Sequence, residues 1–253
     1  MQIPADYVNQ IEDLKNIQLS GLKTHLHNLP QFVKASQDIA IKLLSALSDK
    51  LECESKGVDR YEHGHQPELG SKSTAVINYY PLQDLPEDSS IGHNAHTDMG
   101  TLTILFCSDW GLQAYSDEKG WKYVVPQPDC AVVNVGDSLR FLSQGTLKSS
   151  LHRVVPHQTW NSKARLSLAY FLRPNRTLLL TDPNGKQWTV EEWINRKFES
   201  YKETHAEQKM SDIQTGRHGF LGVWESLEGS VKATNSSHAM PRAVDSVIEN
   251  DRS

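Results

Sequence analysis

The pattern of apolar and polar positions predicts a helical start to the chain. Residues 32–53 place Ile39, Leu43, Leu44 and Leu47 at the spacing of one helix face, which is typical of an amphipathic helix. The stretch before this helix is expected to be helical as well. After these segments the spacing of the apolar residues changes.

A region of short strands is predicted from about residue 73 to residue 180. Its apolar, β-branched and aromatic runs are "TAVINYY", "TLTILF", "LQAY", "WKYVVP", "AVVNVG", "SLHRVVP", "RLSLAYFL" and "TLLL". Gly, Pro and Asp residues separate the runs, and the intervals are too short for crossover helices. This pattern predicts an all-β sandwich, barrel or jelly roll rather than a βαβ fold.

The pattern becomes helical again after "DPNGK". The segment 189–207 begins with Thr189, a suitable N-cap residue, and Glu192 follows three positions later, which is the arrangement of a capping box. We expect this helix to pack over the β-core. From about Leu227 the chain is rich in small and polar residues, which predicts a disordered tail.

Composition and charge narrow the classes of partner. The 253 residues include 26 Lys and Arg against 31 Asp and Glu, a net charge of −5, and basic residues form no cluster. Nucleic acid and anionic membranes are therefore not expected as partners, whereas a small molecule is. No apolar run approaches the roughly 18 residues of a membrane span, and no signal peptide is evident, so a cytoplasmic location is expected. Three cysteines without CxxC spacing disfavour a disulfide framework and a structural zinc site.

A candidate metal site begins in "NAHTDMGTLTIL". His96 and Asp98 are two positions apart, so on an extended segment both side chains would project to the same side and meet one ion. His152 lies in the apolar run "SSLHRVVP", where a buried imidazole would need a partner. Two histidines and one carboxylate with open positions form the facial triad of non-haem Fe(II) sites. Zinc is the alternative metal, although no HExxH motif is present, and a turn with two polar side chains is the simpler alternative.

Two further pairs of polar residues have the same spacing on predicted strands. Arg165 and Ser167 would face one way, and an arginine fork with a serine hydroxyl suits a carboxylate. Either Arg165 faces solvent or it holds an acid inside the fold. In "INYYP", Asn78 and Tyr80 offer two neutral polar groups that would bind the other end of a diacid.

Two other motifs have simpler interpretations. The letters "GDSL" at Gly136–Leu139 are those of an esterase nucleophile motif, but they follow a strand of the β-region, so we interpret them as a turn. The letters "HGH" at residues 63–65 lie in a polar segment before the first clear strand and are expected to be exposed.

The combined motifs resemble one enzyme family. "INYYP", "HTDMGTLTIL", "GLQAY", "VVNVGDSL", "SLHRVV" and "RLSLAYFLRP" occur in an order and spacing similar to those of the 2-oxoglutarate- and Fe(II)-dependent dioxygenases related to isopenicillin N synthase. The resemblance covers roughly residues 35–200. It implies a mainly β fold with flanking helices, the double-stranded β-helix or jelly roll.

The resemblance also assigns roles to residues. Those that match the iron ligands are His96, Asp98 and His152. Those that match the site for the distal carboxylate of 2-oxoglutarate are Arg165 and Ser167. The pair that matches the polar residues on the cosubstrate side is Asn78 and Tyr80, and Phe171 matches an aromatic residue that lines the substrate cavity. The implied domains are an N-terminal helical segment at 1–72, a jelly-roll core with its C-terminal helix at 73–226, and the tail at 227–253.

The activity implied by the resemblance requires Fe(II), 2-oxoglutarate and O2. Oxidative decarboxylation of 2-oxoglutarate would be coupled to oxidation of a C–H bond in a small molecule, expected in secondary metabolism. Hydroxylation, desaturation and ring modification are all compatible outcomes. The sequence leaves the substrate and the oligomeric state open.

The N-terminal region differs from the pattern of the family, whose members carry a further segment before the first helix. The chain is therefore expected to be a truncated product, an isoform or a short variant with an exposed sheet edge. A non-catalytic or binding protein is one alternative. Another is an Fe(II) oxidase of the same fold that uses no 2-oxoglutarate, in which Arg165 and Ser167 would bind a substrate carboxylate. The Asn78 and Tyr80 pair favours 2-oxoglutarate.

Overall fold

The computed structural model describes most of the chain between the first helix and the end of the C-terminal helical region. The described residues are 2–4, 26–65, 70–80, 93–155, 164–204, 207–208 and 211–216. The expected tail at 227–253, and residues 5–25 of the N-terminal stretch that was expected to be helical, lie outside them. The expectation is wrong for Gln2–Pro4, which form a β-strand because their backbone pairs with Thr74–Val76.

The predicted β-region forms strands that agree closely with the apolar runs. The eleven strands of the described residues are β1 (Gln2–Pro4), β2 (Thr74–Tyr80), β3 (His93–His96), β4 (Leu102–Phe106), β5 (Leu112–Ser116), β6 (Gly120–Tyr123), β7 (Val132–Val135), β8 (His152–Val154), β9 (Arg165–Leu172), β10 (Leu179–Thr181) and β11 (Gln187–Thr189). The strands pair antiparallel throughout, which confirms the prediction of a mainly β fold without βαβ units.

Two antiparallel sheets build the core. The larger sheet has the order β1-β2-β9-β4-β7, and the smaller one has the order β3-β8-β5-β6. Strands β10 and β11 form a separate hairpin that leads into the C-terminal helix. Because side chains alternate along each strand, one face of each sheet is available to line a cavity between them.

Helix α1 (Leu29–Lys50) covers the larger sheet, and the face that it buries agrees in part with the one predicted, because Leu44 is fully buried and Leu47 packs against the core. The buried stripe runs through Ala40 and Leu44 and includes small serines, whereas Ile39 is 50% exposed and Leu43 is 37% exposed. The hydroxyl of Ser48 donates to the Glu62 carboxylate at 2.8 Å, so this side chain is buried by a partner outside the helix that apolar spacing does not reveal. The helix ends where Glu52 adopts a left-handed φ of 54°.

Three further helices are described: α2 (Asp137–Leu142), α3 (Val190–Ser200) and α4 (Asp212–Thr215). Thr189 caps α3 as predicted, because its side chain accepts from the Glu192 backbone and the Glu192 carboxylate accepts from the Thr189 N–H. The helix ends at Ser200, earlier than the predicted 207. Among the described helices, none combines the length and the apolar character needed to cross a membrane.

Candidate metal centre and active site

A cavity of about 530 Å³ lies between the two sheets. Alternate residues of β2, β4, β7 and β9 line one side of it, and residues of β5 and β8 line the other side. All eight residues predicted for the site line this cavity: Asn78, Tyr80, His96, Asp98, His152, Arg165, Ser167 and Phe171. The fold therefore brings together positions that lie far apart in the sequence.

Three of these side chains converge on one point. His96, Asp98 and His152 each offer one ligand atom, and these atoms lie within 4.8 Å of one another. Asp98 Oδ1 is 3.7 Å from His96 Nε2 and 3.8 Å from His152 Nε2. His96 and His152 are directly paired across β3 and β8, which explains how residues distant in sequence meet here.

The backbone selects the same tautomer for both imidazoles. His96 Nδ1 lies 2.8 Å from the carbonyl oxygen of Asn94, and His152 Nδ1 lies 2.9 Å from that of Ser150. A carbonyl can only accept, so Nδ1 carries the proton and Nε2 of the neutral ring keeps its lone pair. Both Nε2 atoms thus present a lone pair beside the carboxylate, the arrangement that a metal ligand needs.

Asp98 occupies the loop after β3 rather than the extended segment that was expected. Its Oδ2 accepts hydrogen bonds from Thr103 Oγ1 at 2.7 Å and from Asn134 Nδ2 at 2.8 Å. Burial alone would raise the pKa of Asp98, but the positive charge of His152 and His96 when they are protonated, together with these hydrogen bonds, holds it well below its usual range. The group is therefore a carboxylate at neutral pH, with Oδ1 directed toward the two histidines.

Close backbone contacts hold this loop in place. A Cβ atom on Gly100 would lie 2.3 Å from the carbonyl oxygen of Leu172, and one on Gly136 would lie 2.3 Å from that of Gly100. The Asp137 N–H also donates to the Asp98 carbonyl at 2.7 Å. Glycine is needed at both positions so that the loop can approach β9 and the start of α2.

A buried ion pair connects α3 to the same loop. Lys197 donates to the Asp137 carboxylate, and both side chains are fully buried. Lys197 Nζ also lies 2.7 Å from the hydroxyl of Thr97, which stands between the two candidate ligands His96 and Asp98. Burial lowers the pKa of Lys197, and the charge of Asp137 opposes that shift.

The four predicted polar residues on β2 and β9 form two cross-strand pairs. Asn78 pairs with Ser167, and Tyr80 pairs with Arg165. Arg165 is 1% exposed, so the alternative in which it faces solvent is wrong. Its Nε and Nη1 atoms have no hydrogen-bond partner among the described residues, and its guanidinium lies 5.1 Å from the centre of the Tyr80 ring. Burial raises the pKa of Tyr80, while the charge of Arg165 opposes that shift.

The structure also resolves the two simpler motifs. Ser138 of the "GDSL" segment is fully buried in α2 rather than in a turn, and its hydroxyl donates to the Met99 carbonyl at 2.7 Å. It has no access to a substrate. The expectation that the "HGH" histidines are exposed is wrong for His65, which is 5% exposed and contacts Thr101 Oγ1 at 2.8 Å. His63 is exposed, as expected.

Arg173 and Tyr201 line the cavity as well, although the sequence analysis did not single them out. Arg173 continues the alternate series on and just beyond β9 that contains Arg165, Ser167 and Phe171, so the two-residue period was a signal for it. Tyr201 follows α3 and carries no comparable signal. Its ring lies 6.1 Å from that of His96.

Comparison with known proteins gives the family. Residues 71–174 match the model of the 2OG-Fe(II) oxygenase superfamily. The chain is 43% identical over 189 residues to the 2-oxoglutarate-dependent dioxygenase iboH of Amanita muscaria, a match that covers 73% of this chain and 90% of iboH. The chain belongs to the 2OG-Fe(II) oxygenase superfamily. The jelly-roll fold, the Fe(II) and 2-oxoglutarate cofactors and the O2 cosubstrate expected from the sequence are those of this superfamily.

Two more comparisons show how far the similarity extends. The oxidoreductase vrtI of Penicillium aethiopicum is 41% identical over 195 residues, covering 74% of this chain and 47% of vrtI. JOX2, solved in complex with 2OG, Fe and JA, superposes with a TM-score of 0.55 at 26% identity, covering 68% of this chain and 52% of JOX2. The chain thus spans about half the length of vrtI and of JOX2 and nearly all of iboH.

Proposed function

We propose that this chain is a 2-oxoglutarate-dependent oxygenase that acts on a small molecule at the cavity between the sheets. His96, Asp98 and His152 hold Fe(II), and Arg165 with Ser167 binds the distal carboxylate of 2-oxoglutarate. The observation that supports this most strongly is the buried Arg165 guanidinium, two of whose donors lack a partner among the described residues. A buried cation of this kind calls for an anion.

The donor set suits Fe(II). Two neutral imidazole nitrogens and one carboxylate oxygen leave room for further ligands, which is the donor pattern of non-haem Fe(II) oxygenases. The second carboxylate oxygen of Asp98 is already bound by Thr103 and Asn134, so only one oxygen is presented to the metal. Zinc would fit the same atoms, and family membership favours iron.

The bound iron and 2-oxoglutarate would supply the oxidising power, with O2 and decarboxylation to succinate, for attack on a substrate C–H bond. The protein positions the cosubstrate and the substrate. Arg165 and Ser167 fix the far end of the cosubstrate, and Asn78 and Tyr80 provide polar contacts beside it. Phe171 and the apolar wall of the cavity exclude water and contact the substrate.

The substrate class and the setting are also proposals. The similarity to dioxygenases such as iboH, together with the size of the cavity, supports a small-molecule substrate of secondary metabolism. The cytoplasmic location and the division into segments at 72 and 226 stay predictions from the sequence. The outcome of the oxidation, whether hydroxylation, desaturation or ring modification, is a matter for product analysis.

Slow turnover without substrate tests this proposal. Purified protein with Fe(II), 2-oxoglutarate and ascorbate in air should convert 2-oxoglutarate to succinate and CO2, followed with carboxyl-labelled cosubstrate. His152→Ala should abolish the conversion, because the metal loses one of its two imidazoles. Wild-type protein that forms no succinate, or a His152→Ala variant that forms as much, would refute the assignment.

A further inference from the structure

The cavity contains a second guanidinium that the proposed function does not use. Arg173 follows the last residue of β9, lines the cavity and is 7% exposed. Its Nη1 donates to the Lys72 carbonyl and, at 2.9 Å, to Thr74 Oγ1. Its Nε is buried without a hydrogen-bond partner among the described residues. The protein therefore fixes the guanidinium through Nη1, whereas Nε makes no hydrogen bond to the described residues.

No carboxylate of the described residues forms an ion pair with Arg173. Burial lowers its pKa to about 10, and the charge of Asp98, a proposed iron ligand, opposes that shift. Holding a charged guanidinium in such a site is unfavourable unless an anion accompanies it. A purely structural role would need only the two hydrogen bonds of Nη1. It would not explain why Nε is buried without a partner among the described residues.

The strand register places Arg173 on the opposite side of the metal from Arg165. Thr103 pairs with Phe171 across β4 and β9 and donates to Asp98, so the metal-binding carboxylate lies level with Phe171. Arg173 is two residues from that level and Arg165 is six residues away in the other direction. The Cα atoms of the two arginines are separated by roughly 26 Å along the strand, so their side chains enter the cavity from opposite ends.

The charges in the cavity lead to the same conclusion. The ionised side chains that line it in the described part of the chain are Asp98, Arg165 and Arg173. Fe(II) and two guanidiniums carry four positive charges, whereas Asp98 and the 2-oxoglutarate dianion carry three negative ones. One positive charge is left, and it is on the side of the cavity away from the cosubstrate.

We infer that the substrate is an acid and that the guanidinium of Arg173 binds its carboxylate next to the metal. The inference rests on the proposed function, since it takes 2-oxoglutarate to occupy the Arg165 side. Arg173 is then the residue that determines specificity for acidic over neutral substrates. The two hydrogen bonds of Nη1 hold the fork in its binding orientation before the substrate arrives, which reduces the entropy lost on binding.

Equilibrium binding without turnover tests this inference. Mn(II) replaces Fe(II), and calorimetry first measures binding of 2-oxoglutarate to the Mn(II) protein. With saturating 2-oxoglutarate, two acids are then compared with their neutral amides: phenylacetate with phenylacetamide, and hexanoate with hexanamide. The acid and the amide of each pair have the same shape, so the difference between their affinities measures the contribution of the negative charge. We expect at least one acid to bind more tightly than its amide by a factor on the order of ten or more.

Two variants that each remove one positive charge show which arginine is responsible for the preference for acids. Arg173→Gln should remove the preference for the acid and leave 2-oxoglutarate binding unchanged. Arg176→Gln, at an exposed position three residues further along the chain, should keep the preference. If Arg173→Gln does not fold, Arg173→Lys keeps the charge without the fork and should bind the acid more weakly than wild type.

Each outcome has a separate meaning. Failure of the wild-type Mn(II) protein to bind 2-oxoglutarate would refute the proposed function, and the inference with it. If 2-oxoglutarate binds normally, three results would overturn the inference alone. These are acids that bind no better than their amides, no binding of either acid, and a preference for the acid that is kept in Arg173→Gln.

Discussion

At the scale of single residues, Asp98 divides its two oxygens between structure and chemistry. Oδ2 is held by Thr103 and Asn134, and Oδ1 faces the two Nε2 atoms of the histidines. The sequence predicted which residues meet here but not how the carboxylate is oriented. Asn134 lies on a β-strand with no local signal that its amide reaches Asp98, because that contact depends on the pairing of β4 with β7.

Arg165→Ala should weaken binding of 2-oxoglutarate much more than binding of the metal. A charge-assisted hydrogen bond contributes about 1.5–3 kcal/mol, so the affinity for the cosubstrate should fall roughly 10- to 150-fold. Calorimetry of the Mn(II) protein measures both affinities. Arg196→Ala, whose side chain is 41% exposed, is the matched control. Unchanged 2-oxoglutarate affinity in Arg165→Ala would show that this residue has another role.

His65 should make the fold sensitive to mild acid. Burial is the main reason that its pKa falls to about 4, so the folded protein keeps the ring neutral while the unfolded chain protonates near pH 6.5. Its contribution is thus fully present above pH 6.5 and is lost as the pH falls from 6.5 to about 4. The total loss is on the order of 3 kcal/mol in the free energy of unfolding.

Urea unfolding of the wild type and of His65→Gln at pH 7 and pH 5 measures this effect. Glutamine cannot gain a proton, so the variant should lose less stability between the two pH values than the wild type does. Other groups titrate in both proteins and cancel in the comparison. An equal loss in the two proteins would contradict the assigned cause.

At the scale of elements, helix α3 stabilises the metal loop through the Lys197–Asp137 ion pair and Thr97. The capping box of α3 was predictable because it is local in sequence. The ion pair was not, since it joins two elements whose contact depends on the tertiary fold. The same reason explains His65, whose polar neighbours in sequence indicated exposure although its partner Thr101 lies in the loop before β4.

Lys197→Met should destabilise the protein by about 3–5 kcal/mol, because it leaves the buried Asp137 carboxylate without its main partner. The double variant Lys197→Met with Asp137→Asn removes that unpaired charge and should recover a large part of the loss. Chemical denaturation measures both values. A double variant as unstable as the single one would show that Lys197 acts through packing rather than through charge.

At the scale of the whole molecule, the two sheets form one cavity whose walls come from residues of seven strands. The period of two made most strands, and the inward positions Asn78 and Ser167, predictable from sequence, whereas Phe171 was assigned through the family resemblance. The face of α1 was not predictable to the same degree, since Ala40 and two serines are buried where close packing decides. Global shape determined which of several apolar faces is covered.

The central claim is that this cavity binds Fe(II) and 2-oxoglutarate together. The most direct test is an anaerobic titration of the gel-filtered, folded protein with Fe(II) and 2-oxoglutarate, followed by the visible charge-transfer absorption of the chelate. We expect a saturable band that needs both components and is lost in His96→Ala. A folded, monodisperse wild-type protein without such a band, or a band of equal intensity in His96→Ala, would contradict it.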